Sequence, residues 1–296
     1  VRTLSVAQPP ATPVERVPVK EMLAASGAAF MVPFLFGFLW EFKTQRVTDA
    51  KTVETAQLAP LVGEVARLPS GNRSMKSRRM FEESIDTMRA NLFLSVDTKN
   101  TRSIAVVSSM SGEGKSSVAS QLALSIAKAT GETVLLVDTD LRCPDQHEIF
   151  GIESGPGFSA VVSGSASFDE AVNTSLGKLI HILPAGRLDR SPHRLMSQET
   201  MREFTDRALD KYAYVIFDTA PVLSAGETLA IASSVDSTLL CMMRDVSRLE
   251  SVTRTTRRLE ASGARIAGTV FSGVSARQYS YRYGDYHYAV PNEFAS

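Results

Sequence analysis

After residue 100 the chain alternates between short apolar runs and polar stretches with helical spacing. Continuous runs rich in Val, Ile and Leu are typical of strands buried in a parallel sheet. The predicted strands are Ile104–Val107, Val134–Val137, Leu179–Leu183, Ala213–Phe217, Ser237–Met243 and Arg265–Phe271. Apolar residues at helical spacing predict helices over Val118–Ala129, Gln198–Lys211 and Arg248–Ala261. This order of elements predicts an α/β fold in which helices cover both faces of a parallel sheet.

A much longer apolar stretch lies near the start of the chain. Met22–Trp40 holds nineteen residues without a charged side chain, which is enough for a helix to cross a bilayer. A signal peptide or a buried helix of a soluble domain would have a similar composition. However, the Pro-rich residues 1–20 precede the stretch, and it is too long for the apolar core of a signal peptide. We therefore expect a transmembrane helix over residues 21–41.

The next segment, residues 42–80, is predicted to be a polar juxtamembrane linker. It contains a short helix candidate at Asp49–Gln57 and an apolar patch at Leu58–Leu68. A basic cluster follows, which either lies against anionic lipid headgroups or is solvated without a partner. Its members are Arg73, Lys76, Arg78 and Arg79. From Met80 onward a helix is predicted by the spacing of the apolar residues Phe81, Ile85, Met88 and Leu92.

One loop carries the strongest chemical pattern. The segment SIAVVSSMSGEGKSS, Ser103–Ser117, runs from a predicted strand through a glycine-containing loop into a predicted helix. In such loops backbone N–H groups converge on phosphate oxygens, and the helix N-terminus adds its positive end. The Lys reaches the β- and γ-phosphates, and the hydroxyl after it binds Mg²⁺. The usual pattern has Gly where this chain has Ser109, and a chance Ser/Gly-rich turn is the alternative. The predicted ATP-binding residues are Ser111, Gly112, Glu113, Gly114, Lys115, Ser116 and Ser117.

Carboxylates follow two of the predicted strands. Asp138 and Asp140 come after the second strand, and Asp218 comes after the fourth. Ligands bind at the carboxyl ends of parallel strands, so we expect all three beside Ser116. An isolated Asp after a strand is most often a helix N-cap. Three of them beside a phosphate loop indicate Mg²⁺ binding or proton transfer from an attacking hydroxyl. The predicted catalytic residues are Lys115, Asp138, Asp140 and Asp218, and the predicted Mg²⁺ ligands are Ser116, Asp138 and Asp218.

Charge and cysteine content narrow the class of protein and the cellular compartment. The formal net charge is zero, so no global field favours a nucleic-acid partner. The two cysteines, Cys143 and Cys241, lie far apart, which suits a reducing compartment and excludes a disulfide framework. Because ATP is cytoplasmic, we expect the chain after the membrane helix to lie in the cytoplasm and residues 1–20 to lie outside. The chain begins with Val1, and we expect it to be a segment of a longer protein.

The end of the chain is rich in tyrosine. Five of the seven tyrosines fall within YSYRYGDYHYA, among Ser, Arg, Gly, Asp and His residues that cannot build a core. Such a segment is expected to be mobile and accessible. The expected phosphate acceptors are Tyr279, Tyr281, Tyr283, Tyr286 and Tyr288.

Taken together, these motifs resemble a known family. SSMSGEGKS, VLLVDTDLRCP, LPAG, YVIFDTAP and the tyrosine tail occur in the order found in bacterial tyrosine kinases of capsule and exopolysaccharide synthesis. That family is joined to a membrane module of the polysaccharide co-polymerase type. The resemblance implies a P-loop NTPase-like kinase domain over residues 81–275 and a tyrosine-rich tail over residues 276–296.

The resemblance also implies an activity and partners. It implies ATP- and Mg²⁺-dependent autophosphorylation of the tyrosine cluster in trans, within a ring-like homo-oligomer. It implies an inner-membrane protein with one span and a cytoplasmic kinase domain. It further implies regulation of polysaccharide polymerisation and export, and other proteins as tyrosine-phosphorylated partners. Nucleic acid is not expected among them.

Several residues depart from the family pattern. Ser111 and Ala220 stand where proline is usual, and Ser272 stands where an Asn often contacts adenine. A helix motif associated with oligomer contacts reads Glu83, Asp86, Arg89, so its middle Arg is replaced by an acid. These changes leave a nucleotide-binding scaffold without turnover as one alternative. Another is a partition- or septum-type ATPase, although Met110 stands where that group has an extra Lys.

Overall fold

In a computed structural model, residues 18–55, 59–68, 75–95, 101–187 and 195–284 are described. The segment before residue 46 and the rest of the chain form two separate compact units. The first unit contains helix α1, Val19–Thr44. Within the described residues, Val19–Leu39 is the one stretch of helix that is long and apolar enough to cross a membrane. A core helix of a soluble protein would be mostly buried, whereas none of this stretch is.

The second unit is built on a seven-stranded sheet. Its strands are β1 Leu61–Ala66, β2 Ser103–Ser108, β3 Val134–Asp138, β4 Ile180–Leu183, β5 Tyr214–Asp218, β6 Ser237–Met243 and β7 Ile266–Val274. Every paired strand is parallel, and their order is β1-β7-β6-β2-β5-β3-β4. The parallel α/β sheet is thus confirmed, and all six predicted strands are present within a few residues of their expected limits.

Helices lie on both faces of the sheet, as predicted. They are α2 Ala50–Thr55, α3 Met75–Ser95, α4 Lys115–Thr130, α5 Gln146–Phe150, α6 Phe158–Val162, α7 Phe168–Ala171, α8 Gln198–Leu209, α9 Glu227–Ala232, α10 Leu249–Ala261 and α11 Ala276–Tyr283. One apolar core lies between the sheet and α3 with α4, and it includes Ile85 and Leu122. The other lies beneath α8, α9 and α10, and it includes Phe204 and Leu259. Strand residues alternate between these cores, as the period of two requires.

The prediction that residues 42–80 form a linker is wrong in one respect, because part of this segment forms a strand of the sheet. β1 pairs with β7, from Leu61 beside Thr269 to Ala66 beside Val274. The approach is so close that a Cβ on Gly268 would lie 2.3 Å from Val62 Cγ2. β1 is short and lies at the edge, so its apolar pattern alone does not distinguish it from a linker patch. The folded domain built on this sheet therefore begins before residue 81.

The tail predicted over residues 276–296 also begins differently. Ala276–Tyr283 forms α11, and the hydroxyl of Ser275 accepts a hydrogen bond from the Gln278 N–H at its start. Tyr279 packs into the core beneath α10. The expectation of an accessible segment is therefore wrong for Tyr279, whereas Tyr281 and Tyr283 in the same helix are exposed. An amphipathic face with one aromatic anchor was enough to hold this helix on the domain.

Candidate active site

The phosphate loop joins β2 to α4 and depends on two glycines. Gly112 and Gly114 have φ angles of +82° and +84°, a region that other residues rarely adopt. A Cβ on Gly114 would also lie 3.0 Å from Met243 Cε and 3.2 Å from Ser272 Oγ. Ser109 does not have a positive φ angle. In the described chain, the non-glycine residues that do are Gln45 and Asp245. Serine is therefore compatible with the position where the usual motif has its first glycine.

The side chain of Glu113 holds the loop from within. It is 1% exposed, and its Oε2 accepts hydrogen bonds from the N–H groups of Ser109 at 2.6 Å and Met110 at 2.9 Å. The Ser247 hydroxyl donates to Oε1 at 2.5 Å. Burial raises the pKa of Glu113, and these donors oppose the shift. The Glu113 carboxylate is therefore committed to the loop itself, and nucleotide binding by Glu113 stays a prediction.

Lys115 points into a group of carboxylates. Its Nζ lies 3.0 Å from Asp140 Oδ2, 3.7 Å from Asp218 Oδ1 and 3.1 Å from the Ser116 hydroxyl. Burial alone would lower the pKa of Lys115, but attraction by Asp218 and Asp140 outweighs it and raises the pKa. The structure therefore brings together the ammonium and the strand-end acids that the sequence predicted to converge.

Asp138 and Asp218 lie side by side on adjacent strands and are fully buried. Asp138 accepts hydrogen bonds from the N–H groups of Asp140, Asp145 and Gln146, each at 3.1 Å. Burial, together with repulsion from Asp218, nevertheless raises the pKa of Asp138 to about 8. Burial also raises the pKa of Asp218, although Lys115 opposes that shift. The cluster holds more acid than one ammonium can balance, which favours an incoming cation.

Sequence reasoning missed two residues at the start of α5. The Ser116 hydroxyl donates to Asp145 Oδ2 at 3.2 Å. The Gln146 amide donates to Asp218 Oδ2 at 2.8 Å and to the Ser116 carbonyl at 3.1 Å. Gln146 is fully buried and thereby fixes the orientation of Asp218. The only clue in the sequence was a polar pair a few residues beyond Asp140, which has no characteristic motif.

The oxygen donors at this site fit Mg²⁺. Asp218 Oδ1 is buried without a hydrogen-bond partner, and it lies in the same cluster as the Ser116 hydroxyl. Mg²⁺ is usually held by one or two carboxylates, water and substrate phosphates rather than by an all-protein cage. In keeping with this, the described residues contain no group of three or more His, Cys, Asp or Glu side chains arranged to hold a metal.

The remaining predicted loop residues lie at its surface. Ser111 and Gly112 are exposed, and Ser117 is half-buried in the first turn of α4. Ser272 is buried beneath the loop, where its hydroxyl lies 3.0 Å from the Met242 carbonyl and 3.2 Å from the Glu113 carbonyl. Ser272 therefore supports the phosphate loop in this structure. A contact of Ser272 with adenine stays a prediction.

The acid that replaces an arginine in α3 has a partner within the chain. The Ser125 hydroxyl of α4 donates to Asp86, and Arg89 Nε donates to the same hydroxyl at 2.9 Å. Two of the three positions associated with oligomer contacts thus join α3 to α4.

The structure separates the predicted acceptor tyrosines. Tyr279 is 7% exposed, Tyr283 is 46% exposed and Tyr281 is 90% exposed. Tyr286 and Tyr288 lie outside the described residues. The acceptor residues therefore do not form one uniform accessible segment.

A phosphate loop at the start of a helix, with acids at the ends of neighbouring parallel strands, defines a P-loop nucleotide-binding protein. Residues 104–285 match the model of the CobQ/CobB/MinD/ParA nucleotide binding domain. The tyrosine-protein kinase YwqD of Bacillus subtilis (strain 168) is 31% identical over 205 residues, covering 69% of this chain and 85% of YwqD. The solved BceF tyrosine kinase domain is 25% identical with a TM-score of 0.66, covering 78% of this chain and 100% of that domain.

A longer relative shows how much of such a protein the chain represents. The tyrosine-protein kinase etk of Escherichia coli (strain K12) is 27% identical over 202 residues, which cover 67% of this chain but 28% of etk. The chain therefore belongs to the CobQ/CobB/MinD/ParA nucleotide-binding family and, within it, to the bacterial tyrosine-protein kinases.

Proposed function

We propose that this chain transfers the γ-phosphoryl group of ATP to tyrosines in the C-terminal tail of a second copy. The observation that carries the proposal is the position of Lys115 Nζ, 3.0 Å from Asp140 and 3.7 Å from Asp218 beneath the phosphate loop. An ammonium placed there can stabilise charge on the transferring phosphoryl group. The carboxylates beside it can serve the metal and the incoming hydroxyl.

Different residues have different roles in the phosphoryl transfer. The backbone around Gly112 and Gly114, with the N-terminus of α4, binds the phosphates, and Lys115 orients the γ-phosphate. Ser116, Asp138 and Asp218 would hold Mg²⁺, which would supply positive charge to the phosphates. The tyrosine oxygen forms a bond to phosphorus as the bond to the bridging oxygen of ADP breaks. The phenolic proton passes to Asp138, at the end of β3, or to Asp140.

The position of α11 supports transfer between copies. Arg282 of α11 donates to Glu64 of β1, and β1 is three strands from β2 in the sheet. At about 4.8 Å per strand, this places the helix roughly 14 Å to one side of the phosphate loop. While α11 is docked, its own tyrosines are held away from Lys115 of the same chain, which supports transfer to these tyrosines from another subunit of a homo-oligomer.

We further propose that the kinase acts at the cytoplasmic side of the inner membrane and regulates the polymerisation and export of an extracellular polysaccharide. The apolar helix α1, which precedes the kinase domain, supports the membrane anchor. The resemblance to kinases of capsule and exopolysaccharide synthesis supports the pathway. Polysaccharide co-polymerase and other tyrosine-phosphorylated proteins are the partners that this role would require.

The test is incubation of the full chain with ATP–Mg²⁺, followed by mapping of phosphotyrosine by mass spectrometry. We expect phosphate in the tail and a loss of at least about a hundredfold in Lys115→Met, because a charge acting on the transition state is removed. Lys128→Met is the matched control, since Lys128 lies exposed near the end of the same helix. Nucleotide binding without phosphotyrosine would instead favour a non-catalytic scaffold.

A further inference from the structure

The tyrosines of α11 lie on different sides of the helix. Tyr279 and Tyr283 are four residues apart, and their ring centroids are 4.8 Å apart on the side that faces the domain. Tyr281 lies between them in sequence and is 90% exposed. Side chains four residues apart share a helix face, whereas those two apart do not. The docked helix therefore exposes Tyr281 almost completely and Tyr283 about half, and it buries Tyr279.

Tyr279 acts as the anchor of the helix. Its ring belongs to the apolar core beneath α10, and 7% of the residue remains exposed. Burial raises the pKa of its hydroxyl, and a hydrogen bond with Thr87 of α3 opposes the shift. A kinase cannot reach this hydroxyl unless the ring leaves the core, and doubly charged phosphate could not return there without a large desolvation cost.

Arg282 holds helix α11 against the domain. Its guanidinium donates to Glu64 of β1 and, at 3.0 Å, to Asp49, which directly precedes α2. The Tyr283 hydroxyl faces the same Glu64 carboxylate, and burial followed by this negative charge raises its pKa. A phosphate on Tyr283 would add negative charge beside Glu64 and compete for Arg282.

The surroundings of Tyr281 are open. It borders a surface cavity of about 520 Å³ whose other lining residues belong to α11 and its cap, namely Ser275, Arg277, Gln278 and Ser280. Among the described residues, those of α11 and its cap alone line this cavity. Because 90% of Tyr281 is exposed, another protein can approach its hydroxyl without unfolding of α11.

We propose that the docking of α11 determines the order in which its tyrosines are phosphorylated. Among its three tyrosines, Tyr281 accepts phosphate from the docked helix, Tyr283 follows more slowly, and Tyr279 reacts only after the Arg282 contacts have opened. This inference rests on the proposed function, since the phosphate comes from ATP bound to another copy. In each transfer an oxygen–phosphorus bond forms at the phenol, ADP leaves, and the phenolic proton goes to a carboxylate of the active site.

The first test is a time course of the full chain in detergent micelles with ATP–Mg²⁺, with the occupancy of each tyrosine measured by mass spectrometry. We expect Tyr281 to be labelled at least about tenfold faster than Tyr279, which corresponds to a docking preference of about 1.4 kcal/mol. In Arg282→Ala, the rate at Tyr279 should approach that at Tyr281. Arg277→Ala is the control, because Arg277 is an exposed arginine on the same helix. Equal rates in the unmodified chain, or no gain at Tyr279 in Arg282→Ala, would overturn the proposal.

A second test does not depend on kinase activity. Brief iodination of the full chain without ATP should modify Tyr281 and spare Tyr279, and Arg282→Ala should expose Tyr279. Equal iodination of both residues in the unmodified chain would overturn the anchoring of Tyr279 even if phosphate transfer occurs. If no tyrosine accepts phosphate, the proposed function fails and with it the acceptor role of Tyr281. Selective iodination would then still establish the anchor by itself.

Discussion

At the carboxyl ends of β3 and β5, three acids and one ammonium are shut away from water. At the far edge of the sheet, by contrast, Arg282 joins two acids, and 28% of its side chain remains exposed. The first group has three carboxyl groups for one ammonium, and Asp218 Oδ1 is buried without a hydrogen-bond partner. The second has two carboxyl groups for one guanidinium, and its members stay partly in contact with water. A buried surplus of acid fits a site that waits for a cation, whereas a partly solvated ion pair contributes little stability and fits a contact that opens and closes.

The largest expected effect is a dependence of stability on pH that comes from the active site. In the unfolded chain Asp138 ionises near its ordinary pKa, whereas in the folded protein its pKa is about 8. The folded protein holds the extra proton between these values, so the free energy of unfolding should fall as pH rises from about 4 to 8. We expect a loss on the order of a few kcal/mol, measured by thermal unfolding in EDTA.

Asp138→Asn is the control for this profile, because it removes the titrating group and should flatten the fall. His181 has a pKa lowered by burial, so it works in the opposite direction in both proteins. The difference between the two profiles therefore reports Asp138 together with its interaction with Asp218. A profile of the unmodified chain that is flat or rises over this range would contradict the pKa shift.

The second effect concerns the amide that orients Asp218. Gln146→Leu removes the donor that lies 2.8 Å from Asp218 Oδ2 and leaves a buried carboxylate oxygen unpaired. We expect a loss of about 1–3 kcal/mol in urea unfolding. Gln121→Leu, at a half-buried position on α4, is the matched control and should change stability much less. A change in Gln146→Leu no larger than in the control would show that the amide is not needed.

A smaller effect is expected from the support of the phosphate loop. Ser247→Ala removes the hydroxyl that donates to Glu113 Oε1. Without it the loop is held less firmly, and we expect ADP to bind roughly tenfold more weakly, equivalent to about 1.4 kcal/mol. Isothermal titration calorimetry measures this, with Ser234→Ala as the control, because that hydroxyl donates to the Ile231 carbonyl near the end of its own helix. An unchanged dissociation constant for ADP would show that the contact of Ser247 with Glu113 does not affect nucleotide binding.

The smallest effect should come from the tail. Arg282→Ala should lower the free energy of unfolding by about 1 kcal/mol, because partly solvated ion pairs contribute little. The measurement is urea unfolding beside Arg277→Ala. A loss as large as that in Gln146→Leu would mean that α11 is a fixed part of the domain rather than a contact that opens.

Local patterns were enough to predict much of this protein. The inner strands β2, β3 and β5 each contain a run of four apolar residues, and Phe81, Ile85 and Met88 recur at helical spacing on α3. Such patterns report burial directly, because parallel strands and amphipathic helices must hide these side chains. The phosphate loop was equally clear, since glycine at positive φ followed by Lys and Ser is a local requirement. The convergence of Asp138 and Asp218 followed from topology alone.

What the tertiary structure decided depends on partners that are distant in sequence. β1 became a strand because β7 offers a free edge and Gly268 allows close approach. α11 became a docked helix because Arg282 meets acids that lie more than two hundred residues earlier. Glu113 contacts Ser247 across 134 residues of chain, and Gln146 contacts Asp218 across 72. Single polar residues carry no periodicity, so their roles become visible only when the folded chain brings their partners to them.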